Sequence, residues 1–510
     1  MKLEELVGQR LVIGIPGTRI TPEIVSYFQE LNAGGLILYR RNFDSPVQIK
    51  KLIADLEEAL GRKLLVTTDH EGGRVIMFRD GITVFPDNLA LGGAGKIDYA
   101  RQQGAIEAKE LRRLGMDVNL APVLDVLTEA YSPNIGIRSY GQDWQLVAEM
   151  GAARIAAMQQ GGLSACAKHF PGKGHAPVDA HLGLPVIGST WKEMEAVHLK
   201  PFVTAIQTGV DLVMSSHPYY PNLDPYPNMI ATFSKKIIYD YLRVELNFKG
   251  VITSDDLEMG AIKAICPIAE AGILATQAGH DLLLVCHDPK AQKEVYDKLL
   301  EAYRRKQLPL KELEESAARI NSLKSKRAKR FEGGEPGAEP AGSSLAARIC
   351  RESVQVLQDE RKLLPLRRGE ASIGVILPRF SGLDAKIMIE REVLPEQEFL
   401  RNEFKKFGFN PEIQIVSIGP ADEEIQQAVK LAKKSEVTIL FCYDAHLYPA
   451  NKKLLDSIQG AAQKLVVDLL RDPYDAAFIK AGAACLTGFG WRACQIKAAI
   501  ERICAAEMSR

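Results

Sequence analysis

A chain of 510 residues, 46% hydrophobic and 25% charged, has the composition of an ordinary globular protein and the length for two or three domains. Lys plus Arg and Asp plus Glu both total 64, so the balance argues against a nucleic acid or an anionic membrane as partner and leaves a small molecule as the expected one. No apolar run reaches the roughly 18 residues of a membrane span, and Met1-Lys2-Leu3-Glu4-Glu5-Leu6 mixes charges where a signal peptide needs an apolar segment. A cytoplasmic location is expected. The eight cysteines run from Cys166 to Cys504 without CxxC pairs, which fits free thiols in a reducing compartment.

In chain order, the apolar run Leu11 to Ile15 is followed by Thr21-Pro22-Glu23. Thr as N-cap and Pro in the first helical position predict a helix whose Ile24, Phe28 and Leu31 share a face. A second run, Gly35 to Tyr39, leads to the capping box Ser45-Pro46-Val47-Gln48. Ile49, Leu52, Ile53, Leu56 and Leu60 then follow at helical spacing as far as Gly61. Further apolar runs lie at Leu64 to Thr68, Val118 to Val126, Leu163 to Ala167, Leu212 to Ser215, Val251 to Thr253 and Leu282 to Cys286.

Eight buried strands alternating with amphipathic helices predict an α/β fold with an N-terminal (β/α)8 TIM-like barrel, whose site lies at the C-terminal ends of the strands. Polar residues gather there: Asp69 closes the third run, Asp125 the fourth, Lys168 and His169 the fifth, His217 the sixth, Asp255 and Asp256 the seventh, and His287 and Asp288 the eighth. A buried parallel strand interior would not tolerate them. An open doubly wound sheet would give a similar alternation over part of the chain. After the barrel, residues 1–325, a basic run from Lys324 to Arg330 and a Gly-, Pro- and Ala-rich stretch read as a linker over 326–344. Residues 345–510 carry strand-like runs at Ile373 to Leu377, Ile413 to Ile418, Val437 to Tyr443 and Leu465 to Leu469, and read as a smaller C-terminal α/β domain. That part holds no dense titratable cluster in sequence, so the chemistry is assigned to the barrel.

The stretch Lys168-His169-Phe170-Pro171-Gly172-Lys173-Gly174-His175-Ala176-Pro177-Val178-Asp179-Ala180-His181 reads as a strand running into a long polar loop, a type of segment that carries function. In Asp179-Ala180-His181 the carboxylate can orient the imidazole and stabilise its protonated form, as general acid and base catalysis near neutral pH needs; a loop turn with an exposed His is the plainer alternative. In Val251-Ile252-Thr253-Ser254-Asp255-Asp256 successive side chains point to opposite faces, so only one carboxylate enters the pocket, and Asp256 also suits a cap. A carboxylate facing a protonatable group is the minimal apparatus for glycosidic cleavage with retention. Lys168, His169 and Arg138 are suited as donors to sugar hydroxyls and Asp69 as an acceptor, with salt bridges at the barrel mouth as the alternative.

These motifs resemble glycoside hydrolase family 3, in its β-N-acetylglucosaminidase branch. The resemblance rests on Lys168-His169-Phe170-Pro171-Gly172-x-Gly174, Asp179-x-His181 and Ser254-Asp255-Asp256-Leu257-x-Met259. It is supported by Asp69-His70-Glu71-Gly72-Gly73-Arg74-Val75, Leu120-Ala121-Pro122-Val123-Leu124-Asp125-Val126 and Ile137-Arg138-Ser139-Tyr140-Gly141. The second domain is similar to the family's C-terminal α/β sandwich through Leu363-Leu364-Pro365-Leu366 and Leu470-Arg471-Asp472-Pro473-Tyr474-Asp475. The resemblance implies Asp255 as nucleophile and His181 as acid and base partnered by Asp179. It implies Asp69, Arg138, Lys168 and His169 as contacts to N-acetylglucosamine, with His217 lining the same mouth. It also implies removal of terminal β-linked N-acetylglucosamine, in the cytoplasmic branch from muropeptides of recycled cell wall, with no metal or organic cofactor.

Two positions depart from the family pattern: Met77 where relatives carry an Arg, and Lys173 where His commonly stands between the two glycines. Three other functions fit parts of the chain. With a His rather than a carboxylate as acid and base, phosphate could replace water, making a β-N-acetylglucosaminide phosphorylase. His169, His175, His181, Asp255 and Asp288 could ligate metal in an amidohydrolase-like barrel, although Ile13-Gly14-Ile15-Pro16-Gly17 lacks the His-x-His of that class. A catalytically silent sugar-binding protein would not need Asp179, His181 and Asp255 together.

Overall fold

Parallel strands covered by helices on one face and by a packed interior on the other are mostly apolar, and in the eight N-terminal runs buried polar residues such as Asn119 and Ser164 have hydrogen-bond partners. A computed structural model describes residues 1–129, 132–176, 184–327, 337–367, 372–379 and 396–505. Strands β1 (Leu11–Gly14), β2 (Gly35–Ile37), β3 (Leu65–Thr68), β4 (Val118–Asn119), β5 (Ser164–Phe170), β6 (Leu212–Ser215), β7 (Val251–Asp256) and β8 (Leu282–Val285) pair in sequence order into a closed parallel barrel. The ring closes where Leu11 of β1 aligns with Leu283 of β8. Every residue of these strands is buried except the last two of β7, Asp255 and Asp256.

The helices start where the sequence predicts. Thr21 Oγ1 accepts a hydrogen bond from the Ile24 amide and Ser45 Oγ from the Gln48 amide. Gly61, at φ +62°, takes the left-handed position that ends the helix Pro46–Leu60. The fourth strand is the exception: of the run Val118 to Val126 only two residues join the ladder. Pro122 has no amide to donate, which interrupts regular pairing. The chain stays attached through the Cys166 amide to the Ala121 carbonyl and the Leu124 amide to the Lys168 carbonyl.

The barrel interior is filled by Val12, Ile37, Leu65, Val118, Leu120, Cys166, Leu212, Met214, Val251, Leu282 and Leu284. Ile320 and Leu323 of the helix Leu310–Arg327 join the same cluster. That helix lies across the N-terminal end of the barrel: Ser316 Oγ and Arg319 Nε donate to Asp281, just before β8, and Lys324 Nζ to Gln9, just before β1. The helices Ile97–Leu114 and Trp144–Gln160 are joined by a fully buried pair, with Arg154 Nε and Nη2 donating to the two oxygens of Glu107 at 2.9 and 2.7 Å. Arg154 Nη2 also donates to the Glu71 carbonyl at 2.7 Å, so the pair reaches the loop that follows β3.

Contacts among Cα atoms divide the chain into two units: 1–71, 76–84 and 96–343 in one, 72–75, 85–95 and 344–510 in the other. Of the segment expected as linker, 326–344, the first residues belong to the helix ending at Arg327 and the last to the helix Pro340–Ser353; 328–336 lie outside the described residues. The second unit contains a six-stranded sheet of β9 (Gln355–Gln358), β10 (Ile373–Pro378), β11 (Glu412–Val416), β12 (Val437–Cys442), β13 (Lys464–Leu469) and β14 (Ala484–Thr487), in the order β11-β10-β12-β13-β14-β9. All its pairings are parallel except β14 with β9. The fold is therefore α/β, a barrel followed by a smaller α/β unit. Among the described residues no helix is long and apolar enough to cross a membrane.

Removing one partner of a buried ion pair strands the other charge. Arg154→Met should therefore lower unfolding free energy by about 3–5 kcal/mol, whereas the double variant with Glu107→Gln should lose much less. Urea unfolding of the three variants checks this; equal losses in single and double variants would refute the pairing argument.

Candidate active site

The polar residues at the strand ends converge on the C-terminal face of the barrel, and a buried carboxylate organises them. Glu71, in the loop after β3, is 2% exposed. Its two oxygens receive Arg138 Nη2 at 2.7 Å and Nε at 2.8 Å, and Lys168 Nζ lies 2.6 Å from Oε1. Lys168, on β5, also donates to Asp69 Oδ1 at 2.7 Å. Burial works to raise Glu71, but Arg138 and Lys168 overcome it and hold the carboxyl below the usual range. At Asp69 burial outweighs Lys168 and the carboxyl is raised. Burial opposes the charge on Lys168, yet Asp69 and Glu71 push it above its ordinary value.

Asp125, beyond β4 and wholly buried, orders the next layer. Its Oδ2 lies 2.7 Å from His169 Nδ1 and its Oδ1 accepts the Lys173 amide at 2.6 Å. Burial pushes Asp125 up to about 6 against the opposing charge of Lys173. Burial, then Lys173 and Arg138, push His169 well below its ordinary value, so its ring is neutral. A neutral ring has one N–H, and Asp125 takes it at Nδ1; Nε2 is then an acceptor, with Arg138 Nη2 at 3.5 Å. On a neutral ring His169 would meet a sugar hydroxyl through Nε2 as an acceptor.

Asp255 and Asp256 alternate across β7 as extended geometry requires. Asp256 turns away: Oδ1 accepts the amides of Glu258 and Cys286 and Oδ2 lies 3.3 Å from His287 Nε2. Asp255 faces the site. Its Oδ1 accepts the Asp256 amide, and its Oδ2 lies 3.8 Å from Lys173 Nζ and 4.0 Å from His169 Nε2. Its side chain is 18% exposed, against 3% for Lys168 and His169 and 4% for Lys173. Burial would raise the Asp255 carboxyl, but the surrounding positive charge, Lys173 first, holds it below the usual carboxylate range. Opposite unit charges about 3.8 Å apart interact by about 4 kcal/mol at an effective dielectric of about 20.

The structure brings Asp69, Arg138, Lys168, His169 and Asp255 together. His217 sits against them in a different capacity, since Nδ1 meets Thr232 Oγ1 at 2.8 Å and Nε2 the Asp256 carbonyl at 3.0 Å. Both of its ring nitrogens thus meet protein atoms, and the residue is 1% exposed. Asp179 and His181 lie outside the described residues. Met77, the first departure from the family pattern, is buried at 7% exposure, its amide 3.3 Å from His70 Nδ1. Glu71, Asp125 and Lys173 received no role from the sequence alone. Glu71 lay inside the quoted Asp69-His70-Glu71 motif, Asp125 at a strand end, and Lys173 between two glycines.

The only group with metal-ligand spacing among the described residues lies in the second unit: Asp444, His446 and Asp472. Arg471 Nη1 donates to Asp444 at 2.6 Å and its Nε lies 3.2 Å from Asp472. His446, where Asp475 outweighs burial, is raised above its ordinary value. The Arg471 guanidinium thus already faces both carboxylates of this group. Among the described residues, His169, His175, Asp255 and Asp288 form no such group.

A pre-paired array of acids and bases around two partly exposed carboxylates, Asp69 and Asp255, stands at the C-terminal face of the barrel, the face where (β/α)8 enzymes carry their chemistry. Residues 2–323 match the glycosyl hydrolase family 3 N-terminal domain, and the chain belongs to that family. It is 37% identical over 295 residues to a beta-hexosaminidase of Nitrosomonas eutropha, spanning 57% of this chain and 84% of that protein. Among solved structures it is similar to a family 3 beta-N-acetylglucosaminidase of Paenibacillus sp. str. FPU-7, at 30% identity and TM-score 0.91 over 98% of this chain and 96% of that one. NagZ of Neisseria gonorrhoeae is matched over 97% of its length by 68% of this chain, at 30% identity and TM-score 0.57.

An amide in place of the Asp125 carboxylate cannot accept from both His169 and the Lys173 backbone with the same atoms. Asp125→Asn should lower kcat/KM about 10- to 100-fold, as loss of a supporting partner does, with the circular dichroism spectrum unchanged. Activity within twofold of the parent would show that the His169 tautomer does not matter.

Proposed function

We propose that this glycoside hydrolase is a retaining exo-β-N-acetylglucosaminidase that releases terminal β-linked N-acetylglucosamine through a covalent intermediate on Asp255. The observation that carries the reading is Asp255 itself: a partly exposed carboxylate, held ionised, aimed into a ring of buried cations on the barrel's C-terminal face. Relatives named beta-hexosaminidase and beta-N-acetylglucosaminidase support the sugar assignment. Asp69, Arg138 and Lys168 would exchange part of their mutual contacts for sugar hydroxyls, with the His169 Nε2 lone pair as a further acceptor. His217 supports the nucleophile from behind.

In the first step an Asp255 oxygen attacks the anomeric carbon, the bond to the aglycone oxygen breaks, and His181, oriented by Asp179, gives that oxygen a proton. In the second, water attacks the same carbon, His181 takes the water proton, and the electron pair returns to Asp255. No metal or organic cofactor enters this chemistry. We assign the aglycone to muropeptides of recycled cell wall and the enzyme to the cytoplasm; its eight cysteines are all unpaired, which suits a reducing compartment.

Nitrophenol release from the β-N-acetylglucosaminide and the β-glucoside, with and without phosphate, tests the reading. Hydrolysis of the first substrate, independent of phosphate and lost in Asp255→Ala, is expected. A sugar phosphate product would make the enzyme a phosphorylase instead. His181→Ala should slow substrates with poor leaving groups far more than nitrophenyl ones, since good leaving groups need little protonation; an equal loss on both would remove His181 from the acid role.

A further inference from the structure

The turn after β5 holds a cation whose placement the sugar contacts do not account for. Lys173 is fixed at its backbone on every side. Its amide donates to Asp125 Oδ1, and its carbonyl accepts from the Ala176 amide. The preceding Gly172 amide donates to the His169 carbonyl, and the following Gly174 carbonyl accepts from the amides of Thr128 and Glu129. Neither flanking glycine has room for a side chain. A Cβ on Gly174 would stand 1.9 Å from the Val126 carbonyl oxygen, and Gly172, at φ +115°, would place one 2.9 Å from His198. The side chain between them is 4% exposed and brings its ammonium to 3.8 Å from Asp255 Oδ2.

Other charged and titratable groups face Asp255 from the surrounding elements. Lys168, His169 and Cys166 come from β5, Arg138 from the loop after β4, His217 from the end of β6, and Asp69 from the end of β3. The two other cations are committed elsewhere: Lys168 to Asp69 and Glu71, Arg138 to Glu71. His169 and His217 are driven toward their neutral forms by burial. Lys173 is the cation within 4 Å of the Asp255 carboxylate among the described residues.

We propose that Lys173 is a positioning residue that balances the two halves of the reaction, acting through Asp255. The inference rests on Asp255 being the nucleophile. A cation beside a carboxylate stabilises its charged form, which makes it a weaker nucleophile and a better leaving group. In the first half-reaction Asp255 gives up its charge on bonding to the anomeric carbon, and Lys173 loses the carboxylate charge it faces at 3.8 Å while keeping that of Asp125. In the second, water adds to that carbon, the carbon–oxygen bond to Asp255 breaks, and the returning electron pair forms the carboxylate beside the waiting ammonium. Lys173 therefore restrains formation of the glycosyl-enzyme and speeds its breakdown.

The test uses the full-length enzyme and two dinitrophenyl glycosides of N-acetylglucosamine, the plain substrate and a ring-fluorinated analogue that traps the intermediate. Their leaving group needs no proton, so the pH dependence of trapping reports the ionisation of the nucleophile. In the wild type trapping should hold its plateau down through the ordinary carboxylate range, with the label on Asp255. In Lys173→Met the acid limb should move up by about one pH unit or more. With the plain substrate kcat and KM should fall together by about three- to tenfold as the intermediate accumulates. Lys173→Arg should restore both.

An acid limb in the wild type at or above the ordinary carboxylate value would overturn the inference without any variant. So would a limb unmoved in Lys173→Met, or a rise in KM with kcat intact, which marks a plain sugar contact. Label absent from Asp255 in the wild type would overturn the nucleophile reading itself; label on Asp255 with an unmoved limb would overturn only the role of Lys173.

Discussion

Charge taken out of water must be paired, and that constraint shapes the catalytic end of this barrel. Glu71 is its pivot. Its carboxylate joins Arg138 from one loop to Lys168 from a strand, and its carbonyl is tied to Arg154, which also pairs with Glu107 on a neighbouring helix. The path from the outer helices to the strand ends thus runs through ion pairs linked by one hydrogen bond to a backbone carbonyl. Such an array is oriented in advance, each group held in position by its neighbours.

Polarity is then distributed by simple geometry. The alternation of β7 sends Asp255 inward and Asp256 outward, and the outward residue is put to use in the turn it caps. Asp125, deeper still, sets the tautomer of His169 and the path of the following turn with its two oxygens. One buried carboxylate therefore determines both which way a histidine presents its lone pair and where a lysine enters the site. Neither effect involves direct contact with the reacting bond.

Much of this architecture was legible in the sequence. The runs of buried strands, the N-caps at Thr21 and Ser45 and the clustering of Asp69, Lys168, His169 and Asp255 at strand ends follow from local rules of periodicity and capping. What escaped was set by long-range packing. Pro122 cut short a run that reads as a long strand. β9 is four residues with alternating exposure on a sheet edge, and β14 is a short buried stretch between Gly482 and Gly488, and neither has enough length to signal itself. Glu71 reads as one more polar loop residue until the two cations it serves are brought near from positions 67 and 97 residues away along the chain. His217 and His169 were recognised as site residues, but the direction of a histidine hydrogen bond depends on neighbours that only folding supplies.

The helix Leu310–Arg327, which closes the N-terminal end of the barrel, has a different kind of consequence. It pins the strand starts with Ile320, Leu323 and the contacts to Asp281 and Gln9, at the opposite pole from the loops that carry the chemistry. Durability and selectivity are thereby lodged in separate parts of the same barrel. A substitution in the loops at the strand ends leaves the contacts of that sealed pole untouched.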